Sequence, residues 1–423
     1  MFYKQLLMIY ANRLPLLFTG IFFLIIACNP PQTEKSNDGN NNNDSEIQFT
    51  DPVETEDPNT DYKPAFEGQT RAPGVETTTD YQVTILSEDL EKPWGITNLP
   101  DGRFLITEKG GVMRIASQDG TLSDAITGLP EVDDEGQGGL LGLTLDPDFE
   151  ENRMVFWTFS QNVGDGNLTA VAKGRLADDE KTIENAEVIY QATPAYAGRL
   201  HYGSRILFDQ SGHLFVSTGE RSDLVTRPQA QDLNSAMGKV LRITKDGDPA
   251  PGNPFEGQEG VRPEIYTYGH RNVQGLAFHP ETGDLWEGEF GPRGGDEINL
   301  IKPGLDYGWP TITYGIEYSG EKIGDAIQVK EGMEQPVYYY DPSISFSGIT
   351  FYSSEEIPEW KNNLFLAALA GSQVARLVIE DNKVIGEERL LTEEKQRFRD
   401  IIEGHDGALY TVTDQGRLYR IGK

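Results

Sequence analysis

Short apolar runs alternate with turns rich in Gly, Asp, Pro and Asn along most of the chain, from about residue 81 to residue 421. No long segment in this region repeats its apolar residues at helical spacing. Short apolar runs bounded by turn residues are typical of β-strands. The pattern therefore predicts an all-β domain, which we place at residues 79–423.

One unit recurs in this region: a Gly or small polar residue, an apolar strand, a turn with Pro, Asp or Gly, and a second apolar strand. Six copies occur: "PWGITNLPDGRFLITEKGGVMRI", "LLGLTLDPDFEENRMVFWTFS", "GSRILFDQSGHLFVSTGE", "QGLAFHPETGDLWEGEFG", "SGITFYSSEEIPEWKNNLFLAAL" and "FRDIIEGHDGALYTVTDQGRLYRI". Each repeat has room for about four strands, and stacked blades bury faces that one sheet would expose. We therefore predict a six-bladed β-propeller with four-stranded antiparallel blades. A β-sandwich, the alternative, would space its strands more evenly.

The spacing between units is uneven, so the extra length must lie in loops. The longest insertions are around residues 246–272 and 307–342. Loops on a rigid scaffold are the usual place for binding residues. We expect these long loops on the face of the propeller that carries the active site.

The first 27 residues have the organisation of an export signal. Lys4 and Arg13 are their only charged residues, and residues 14–27 are apolar or small apart from Thr19. The segment ends in "LIIAC", where Cys28 is the only cysteine of the chain. This arrangement resembles a bacterial lipoprotein signal, in which the cysteine is acylated and becomes the mature N-terminus. A membrane helix or an ordinary buried cysteine is the alternative.

Residues 28–78 are rich in Asn, Asp, Glu, Thr and Pro and contain few apolar residues. Such a composition does not bury enough apolar surface to offset the entropy of ordering. We predict a disordered tether that connects acylated Cys28 to the propeller. The protein would then be exported and held on a bacterial membrane.

The chain carries a net charge of −32. Nucleic-acid binding needs basic patches that neutralise phosphates, so this charge argues against a nucleic-acid partner. With one cysteine, no disulfide can form within the chain. Apart from this, the excess of acidic over basic residues indicates a well-solvated surface.

His201 lies in "GRLHYGSRILF", between an Arg-Leu pair and a Gly-Ser-Arg turn at the start of a strand-like run. A histidine at that position is a candidate general base, because its pKa lies near working pH. A structural histidine at the mouth of a blade is the alternative. Gln137, among the glycines of "EGQGGLLGL", lies at a comparable position before another strand.

Arg271 and Asn272 stand side by side in "YGHRNVQGLAF", where a tight turn leads into a strand. A guanidinium next to an amide suits the recognition of a carbonyl or carboxylate. Arg397 and Arg399 are two residues apart in an extended segment, hence on one side of it. Two guanidiniums on one face of an acidic protein indicate an anionic ligand. For Arg271 the alternative is an arginine that only stabilises its loop. For Arg397 and Arg399 the alternative is a salt bridge between blades.

Gly291 and Pro292 close a strand in "EGEFGPRGGDEINLI". Ca²⁺ accepts backbone carbonyls among its ligands, and a Gly-Pro kink can turn carbonyls inward. A tight turn in which Asp296 caps nearby amides would explain the same residues.

Three common catalytic motifs are absent from the sequence: a His/Glu pair at the spacing of zinc proteases, a phosphate-binding Gly-Lys-Ser/Thr loop and a nucleophile elbow.

Six motifs in a fixed order carry a family resemblance: "GQGGLLGL", "HYGSR", "MGKVLRI", "YGHRNVQGLAF", "GPRGGDEINLI" and "DYGWP". Together they resemble the soluble PQQ-dependent glucose and aldose sugar dehydrogenases, the quinoprotein glucose/sorbosone dehydrogenase family, over about residues 80–421. The resemblance implies a six-bladed propeller that holds pyrroloquinoline quinone (PQQ) and Ca²⁺ over its channel. The implied reaction is oxidation of an aldose at the anomeric carbon to the lactone, with electrons passed to an external acceptor.

Site roles follow from the same resemblance. It implies that His201 is the base, and that Arg271 and Asn272 contact the quinone, with Arg271 stabilising charge on the reduced ring. It also implies that Gln137 contacts the cofactor, while Arg397 and Arg399 bind its carboxylates. The carbonyls of Gly291 and Pro292 would be ligands of the active-site calcium.

Two positions depart from the family pattern. Leu200 stands where some members carry an acid before the histidine, and Ala370 stands near the place of a cofactor-binding lysine. The orientation of His201 and the hold on one cofactor carboxylate therefore remain open. Two other functions also remain open: a calcium-dependent, lactonase-like propeller hydrolase and a non-catalytic carbohydrate-binding propeller.

We predict that Cys28→Ala releases the protein from membranes and leaves dehydrogenase activity intact, because the anchor and the propeller are separate parts of the chain. Stable attachment needs two or more acyl chains, which full lipoprotein processing would supply. The measurement is the fraction of protein in washed membranes, with Ser36→Ala as a control that should stay bound. Retention of signal-cleaved Cys28→Ala in the membrane fraction would contradict the assignment.

Overall fold

The computed structural model describes residues 47–423. The predicted signal peptide, Cys28 and the first part of the expected tether lie outside the described residues. Within 47–423 the chain is nearly all β, and its strands form six sheets arranged as the blades of a ring. This confirms the predicted six-bladed β-propeller.

The strands are numbered in chain order. The first blade contains β4 (Pro93–Asn98), β5 (Phe104–Glu108) and β6 (Val112–Ala116). The second contains β7 (Leu140–Leu145), β8 (Met154–Val163), β9 (Gly166–Leu176) and β10 (Ile183–Gln191). The third contains β11 (Ile206–Phe208), β12 (Leu214–Ser217), β13 (Lys239–Ile243) and β14 (Ile265–Tyr268).

The fourth blade contains β15 (Val273–Phe278), β16 (Leu285–Glu289), β17 (Asp296–Leu300) and β18 (Tyr338–Tyr340). The fifth contains β19 (Phe346–Phe351), β20 (Leu364–Ala368), β21 (Gln373–Glu380) and β22 (Lys383–Leu390), extended by β1 (Thr50–Pro52) and β2 (Pro73–Gly74). The sixth contains β23 (Phe398–Glu403), β24 (Leu409–Thr413), β25 (Leu418–Gly422) and β3 (Gln82–Ser87).

Helical structure in the described part of the chain is limited to four short segments: α1 (Phe149–Asn152) and 3₁₀ turns at Arg227–Ala230, Pro358–Trp360 and Thr392–Glu394. None of the helices between residues 47 and 423 has the length and apolar character that crossing a membrane requires.

Two blades differ from the predicted four strands. The first has three regular strands, and the bridges Met113–Ile126 and Ala116–Leu122 supply the outer edge. The fifth gains two strands because β2 pairs in parallel with β22 at its outer edge. The remaining four blades are four-stranded, as predicted.

The ring is closed by a sheet made from both ends of the domain. Strand β3 pairs antiparallel with β25, with Ile85 opposite Tyr419 and Val83 opposite Ile421. The first strands of the blades, β4, β7, β11, β15, β19 and β23, each contact the next one around the channel. At Gly275 in β15, a Cβ would lie 2.8 Å from the Ser347 carbonyl oxygen of the fifth blade. Glycine there lets neighbouring blades approach closely.

The core is divided into six main apolar layers, each shared by two adjacent blades. Trp157 lies in the layer between the first and second blades, Trp286 between the fourth and fifth, and Trp360 between the fifth and sixth. All three indoles are fully buried. Because each layer needs a blade on both sides, the hydrophobic effect favours the closed ring.

Residues 47–78 differ from the expected tether. Val75 donates its backbone N–H to the Glu387 carbonyl at 3.0 Å, and the Glu359 carboxylate accepts hydrogen bonds from Thr78 and Thr79. The compact unit therefore begins at Ile47. Composition did not reveal this because the segment is held by polar contacts with the fifth blade, which a count of apolar residues does not register.

Four of the predicted site residues lie just before inner strands. Gln137 precedes β7, His201 precedes β11, Asn272 precedes β15 and Arg397 precedes β23. The inner strands of a propeller run in the same direction around the channel, so their starting ends lie at one face. The candidate active site is at that face.

Candidate active site

His201 is the centre of the site and is 5% exposed. Its backbone N–H donates to Gln137 Oε1 at 2.8 Å, and its Nδ1 lies 2.6 Å from Glu220 Oε1. Glu220 directly follows the Thr-Gly pair at the end of β12. A carboxylate on Nδ1 fixes the ring orientation and leaves Nε2 as the proton acceptor. Glu220 therefore orients the ring although Leu200 stands where some members of the family carry an acid.

The backbone at His201 is in the left-handed region, with φ of 47°. A histidine in that region costs conformational energy and requires support from its surroundings. The Gln137 contact and the Glu220 contact supply that support. The sequence offered no direct signal for Glu220, because it lies nineteen positions after His201.

Burial lowers the pKa of His201, and the neighbouring Arg271 guanidinium lowers it further. The hydrogen bond to Glu220 acts in the opposite direction but does not compensate, so the pKa falls to about 4. The imidazole is therefore neutral at neutral pH. Neutral imidazole is the form that can accept a proton.

Arg271 and Asn272 occupy a turn that Glu289 holds in place. Glu289 Oε2 accepts the backbone N–H of Arg271 at 2.5 Å and that of Asn272 at 3.2 Å. Asn272 Oδ1 accepts the N–H of Gly203 at 2.9 Å, which connects this turn to the loop after His201. The Arg271 guanidinium lies 5.2 Å from the ring centroid of Trp309.

Two buried donors of this turn have no hydrogen-bond partner among residues 47–423: Arg271 Nε and Asn272 Nδ2. A buried polar group without a partner is unfavourable, and such groups are commonly completed by a ligand, an ion or water. Both donors belong to residues that sequence analysis assigned to the cofactor site. They suit a ligand with carbonyl or carboxylate oxygens.

Gly291 and Pro292 lie in the turn between β16 and β17. The Gly291 N–H donates to Asp296 Oδ1 at 2.8 Å. Asp296 therefore caps this turn, which is the alternative interpretation given for these residues in the sequence. The Gly291 carbonyl accepts Arg271 Nη1 at 2.5 Å, and the Pro292 carbonyl accepts Ser343 Oγ at 3.4 Å. Both residues line one pocket together with Arg271, Glu289, Glu297 and Trp309. Carbonyl and carboxylate oxygens in one pocket are the ligand types that Ca²⁺ accepts.

Arg397 and Arg399 share a single carboxylate. Arg397 Nε lies 3.0 Å from Asp414 Oδ2, and Arg399 Nε lies 2.8 Å from Asp414 Oδ1. This places both guanidiniums on one side of the strand, as their spacing predicts. Arg399 Nη1 also donates to Gln274 Oε1 at 3.2 Å, which connects the pair to the strand that follows Asn272. The ion pair is thus formed within the sixth blade rather than between blades.

Lys109 is a third cation beside this pair, and sequence analysis did not single it out. Its Nζ donates to the Gly136 carbonyl at 3.0 Å, next to Gln137. Burial lowers the pKa of Lys109, and the Arg399 guanidinium lowers it further. The sequence feature that could have identified Lys109 is its position in "EKGG", a glycine-containing turn directly after β5. Ala370 lies in an exposed turn and offers no cation.

A buried group of His270, Glu287 and Glu289 lies in the fourth blade, with ligand atoms within 4.8 Å of one another. Burial lowers the pKa of His270, but hydrogen bonds to Glu287 and Glu289 outweigh it and raise the pKa to about 9. Burial and the Glu289 charge raise the pKa of Glu287 to about 7. A cationic His270 between carboxylates accounts for these contacts, and Glu289 connects them to the turn of Arg271.

The structure therefore joins Gln137, His201, Arg271, Asn272 and Gly291 in one hydrogen-bonded site. Pro292 lines the same pocket. Arg397 and Arg399 join it through Gln274.

Comparison with known proteins identifies the family of the chain. The model of the glucose/sorbosone dehydrogenase family matches residues 90–420. The chain is 41% identical over 344 residues to aldose sugar dehydrogenase YliI of Escherichia coli, covering 80% of this chain and 92% of that protein. It is 26% identical over 415 residues to quinoprotein glucose dehydrogenase B of Acinetobacter calcoaceticus, covering 79% and 86%. A solved PQQ-bound aldose sugar dehydrogenase from Streptomyces coelicolor is 28% identical with a TM-score of 0.67, covering 82% and 99%.

The chain belongs to the glucose/sorbosone dehydrogenase family. The resemblance inferred from the six ordered motifs is thereby confirmed. The named relatives are sugar dehydrogenases.

We predict that the His201 ring titrates with a midpoint of about 4 in the folded protein, far below the ordinary value of 6.5. NMR of the histidine ring signals, assigned by loss of one signal in His201→Gln, measures it. Since the unfolded chain takes up this proton below about pH 6.5 and the folded chain only below about pH 4, this group makes stability fall as pH drops across that window. Glu220→Gln should lower the midpoint further. A midpoint near 6.5 in the folded protein would contradict the buried environment.

Proposed function

We propose that this protein is a PQQ- and calcium-dependent aldose dehydrogenase that oxidises a sugar at its anomeric carbon to the lactone. The observation that carries the proposal is the His201–Glu220 pair at 2.6 Å beside the Arg271–Asn272 turn with its unpartnered donors. A neutral base next to donors for an electron-rich ligand suits alcohol oxidation. The sugar dehydrogenase names of the relatives support the same substrate class.

The residues at the site fit PQQ, a quinone with several carboxylates. Arg397, Arg399 and Lys109 supply three cations around the Asp414 carboxylate, and such a cluster of cations suits an anionic ligand. Arg271 Nε and Asn272 Nδ2 supply donors for carbonyl oxygens. Gln137 would contact the cofactor from the side of His201. When bound, PQQ supplies the hydride acceptor that no amino-acid side chain provides.

The residues also fit a calcium ion. The carbonyls of Gly291 and Pro292 would hold it, in a pocket that Glu289 and Glu297 also line. Ca²⁺ would partly neutralise the cofactor's carboxylates and polarise its quinone.

His201 would accept the proton of the anomeric hydroxyl at Nε2, while Glu220 holds Nδ1 and stabilises the imidazolium that forms. Arg271 would stabilise negative charge that develops beside it. Trp309 covers the Arg271 guanidinium and limits the access of water to it.

We further propose that an external acceptor takes the electrons and that acylated Cys28 holds the protein on a bacterial membrane after export. Residues 29–46 lie between that anchor and the first residue that the structure describes. The net charge of −32 supports a protein without a nucleic-acid partner.

We predict that His201→Gln binds PQQ and Ca²⁺ but loses roughly two to four orders of magnitude in kcat, the usual contribution of a positioned general base. The measurements are dye-linked oxidation of aldoses and thermal unfolding on the same sample. His405→Gln changes an exposed histidine in the turn between β23 and β24 and serves as the control. A stable His201→Gln with turnover within about threefold of the parent would remove His201 from the mechanism.

The arginine pair generates a separate prediction. Arg397→Ala and Arg399→Ala should each weaken PQQ reconstitution by on the order of ten- to a hundredfold, the effect of losing a charge-assisted hydrogen bond. Excess PQQ should largely restore turnover, because these residues bind rather than react. Arg420→Ala, which removes an ion pair with Asp406 at the other end of the sixth blade, is the matched control. Unchanged PQQ affinity in both test variants would show that the arginines serve only the pairing with Asp414.

A further inference from the structure

The N-terminal segment, residues 47–80, lies outside the family match, which begins at residue 90. It follows the outer edge of the fifth blade, where β1 pairs with β2 and β2 pairs with β22. Between β1 and β2 the segment reaches the loop that contains Gly291 and Pro292. At that point the segment forms specific hydrogen bonds with Asp341 and Arg293, although its composition is that of a tether.

Asp341 is the main attachment point and is 5% exposed. Its Oδ1 accepts the backbone N–H of Asn59 at 2.8 Å and Asn59 Nδ2 at 2.9 Å. Its Oδ2 accepts the backbone N–H of Thr60 at 3.1 Å and Thr60 Oγ1 at 3.0 Å. Four hydrogen bonds to one carboxylate from two consecutive residues fix the position of both partners.

Asn59 also touches the 291–296 loop directly. Its Oδ1 accepts Arg293 Nε at 2.8 Å. Gly294, in the same loop, has φ of +82°, and a Cβ there would lie 2.7 Å from Asp341 Oδ1. The loop is therefore packed closely against the carboxylate that Asn59 and Thr60 hold.

The turn that contains Asp341 also supports the other side of the 291–296 loop. Gly295 donates its N–H to the Tyr340 carbonyl at 2.7 Å. Asp296 Oδ2 accepts the N–H of Ser345 at 2.6 Å, while its Oδ1 accepts the N–H of Gly291 at 2.8 Å. A continuous set of hydrogen bonds thus runs from Asn59 and Thr60, through the 340–345 turn, to Gly291.

We propose that Asn59 and Thr60 are positioning residues of the active site: they hold Asp341 and Arg293 so that the carbonyls of Gly291 and Pro292 keep their place in the pocket. The functional domain then begins in the N-terminal segment and not at residue 79. The part of the proposal that concerns calcium rests on the proposed function. The part that concerns loop order does not.

The test uses the full apoprotein and the double variant Asn59→Ala/Thr60→Ala, which removes the three side-chain hydrogen bonds that join these residues to Asp341 and Arg293, together with one from the Tyr62 N–H to Thr60 Oγ1. The control is Thr78→Ala/Thr79→Ala, which removes side-chain hydrogen bonds of the same segment to Glu359, away from the 291–296 loop. Hydrogen–deuterium exchange of peptides covering residues 290–296 measures loop opening without any cofactor. We expect exchange to become on the order of tenfold faster in the test variant and to stay at the parent rate in the control.

A second readout is the calcium concentration that gives half of the calcium-dependent rise in Tm of the apoprotein. We expect it to increase on the order of tenfold in the test variant and not in the control. Parent-like exchange at 290–296 in the test variant, or equal acceleration in both variants, would overturn the proposal. A parent protein whose Tm does not respond to calcium would contradict the calcium site of the proposed function, while the exchange result would still decide the role of Asn59 and Thr60.

Discussion

The pairing of β3 with β25 closes the ring, and both the apolar layers between the blades and the candidate site are built on that closure. The main apolar layers each lie between two blades, so a ring that opened between the sixth and first blades would expose to water the apolar layer that these two blades share. Closure also brings the starting ends of the inner strands to one face. Residues as far apart in the chain as Gln137 and Arg399 become parts of one site only because the ring closes.

Buried carboxylates organise that site. Glu220 holds the His201 ring, Glu289 holds the turn of Arg271, and Asp296 holds the N–H of Gly291. A carboxylate in a dry interior is unfavourable unless hydrogen-bond donors surround it. Here many of the donors belong to the functional residues themselves, so the same contacts that make burial of charge tolerable also fix the geometry of the site.

The orientation of His201 depends on a carboxylate that is not adjacent to it in the sequence. Some members of the family carry an acid directly before the histidine, and the sequence alone left the orientation of His201 open. In the structure the carboxylate on Nδ1 comes from Glu220, at the end of a neighbouring strand of the same blade. Lys109 is comparable: it stands beside Arg399, although nearly three hundred residues separate the two in the chain.

Six repeats of strand and turn can bury their faces only by stacking, so the repeat pattern predicts the blade architecture, and the order of six motifs identifies the family. Local pattern also placed Arg397 and Arg399 on one side of a strand. The tertiary structure alone decided which carboxylates accompany these residues and where the domain begins. Glu220, Asp414 and Asp341 act through contacts between distant segments, and residues 47–78 are ordered by hydrogen bonds to the fifth blade. Composition and spacing describe what a segment can bury, whereas polar contacts depend on which partner the fold brings within about 3 Å.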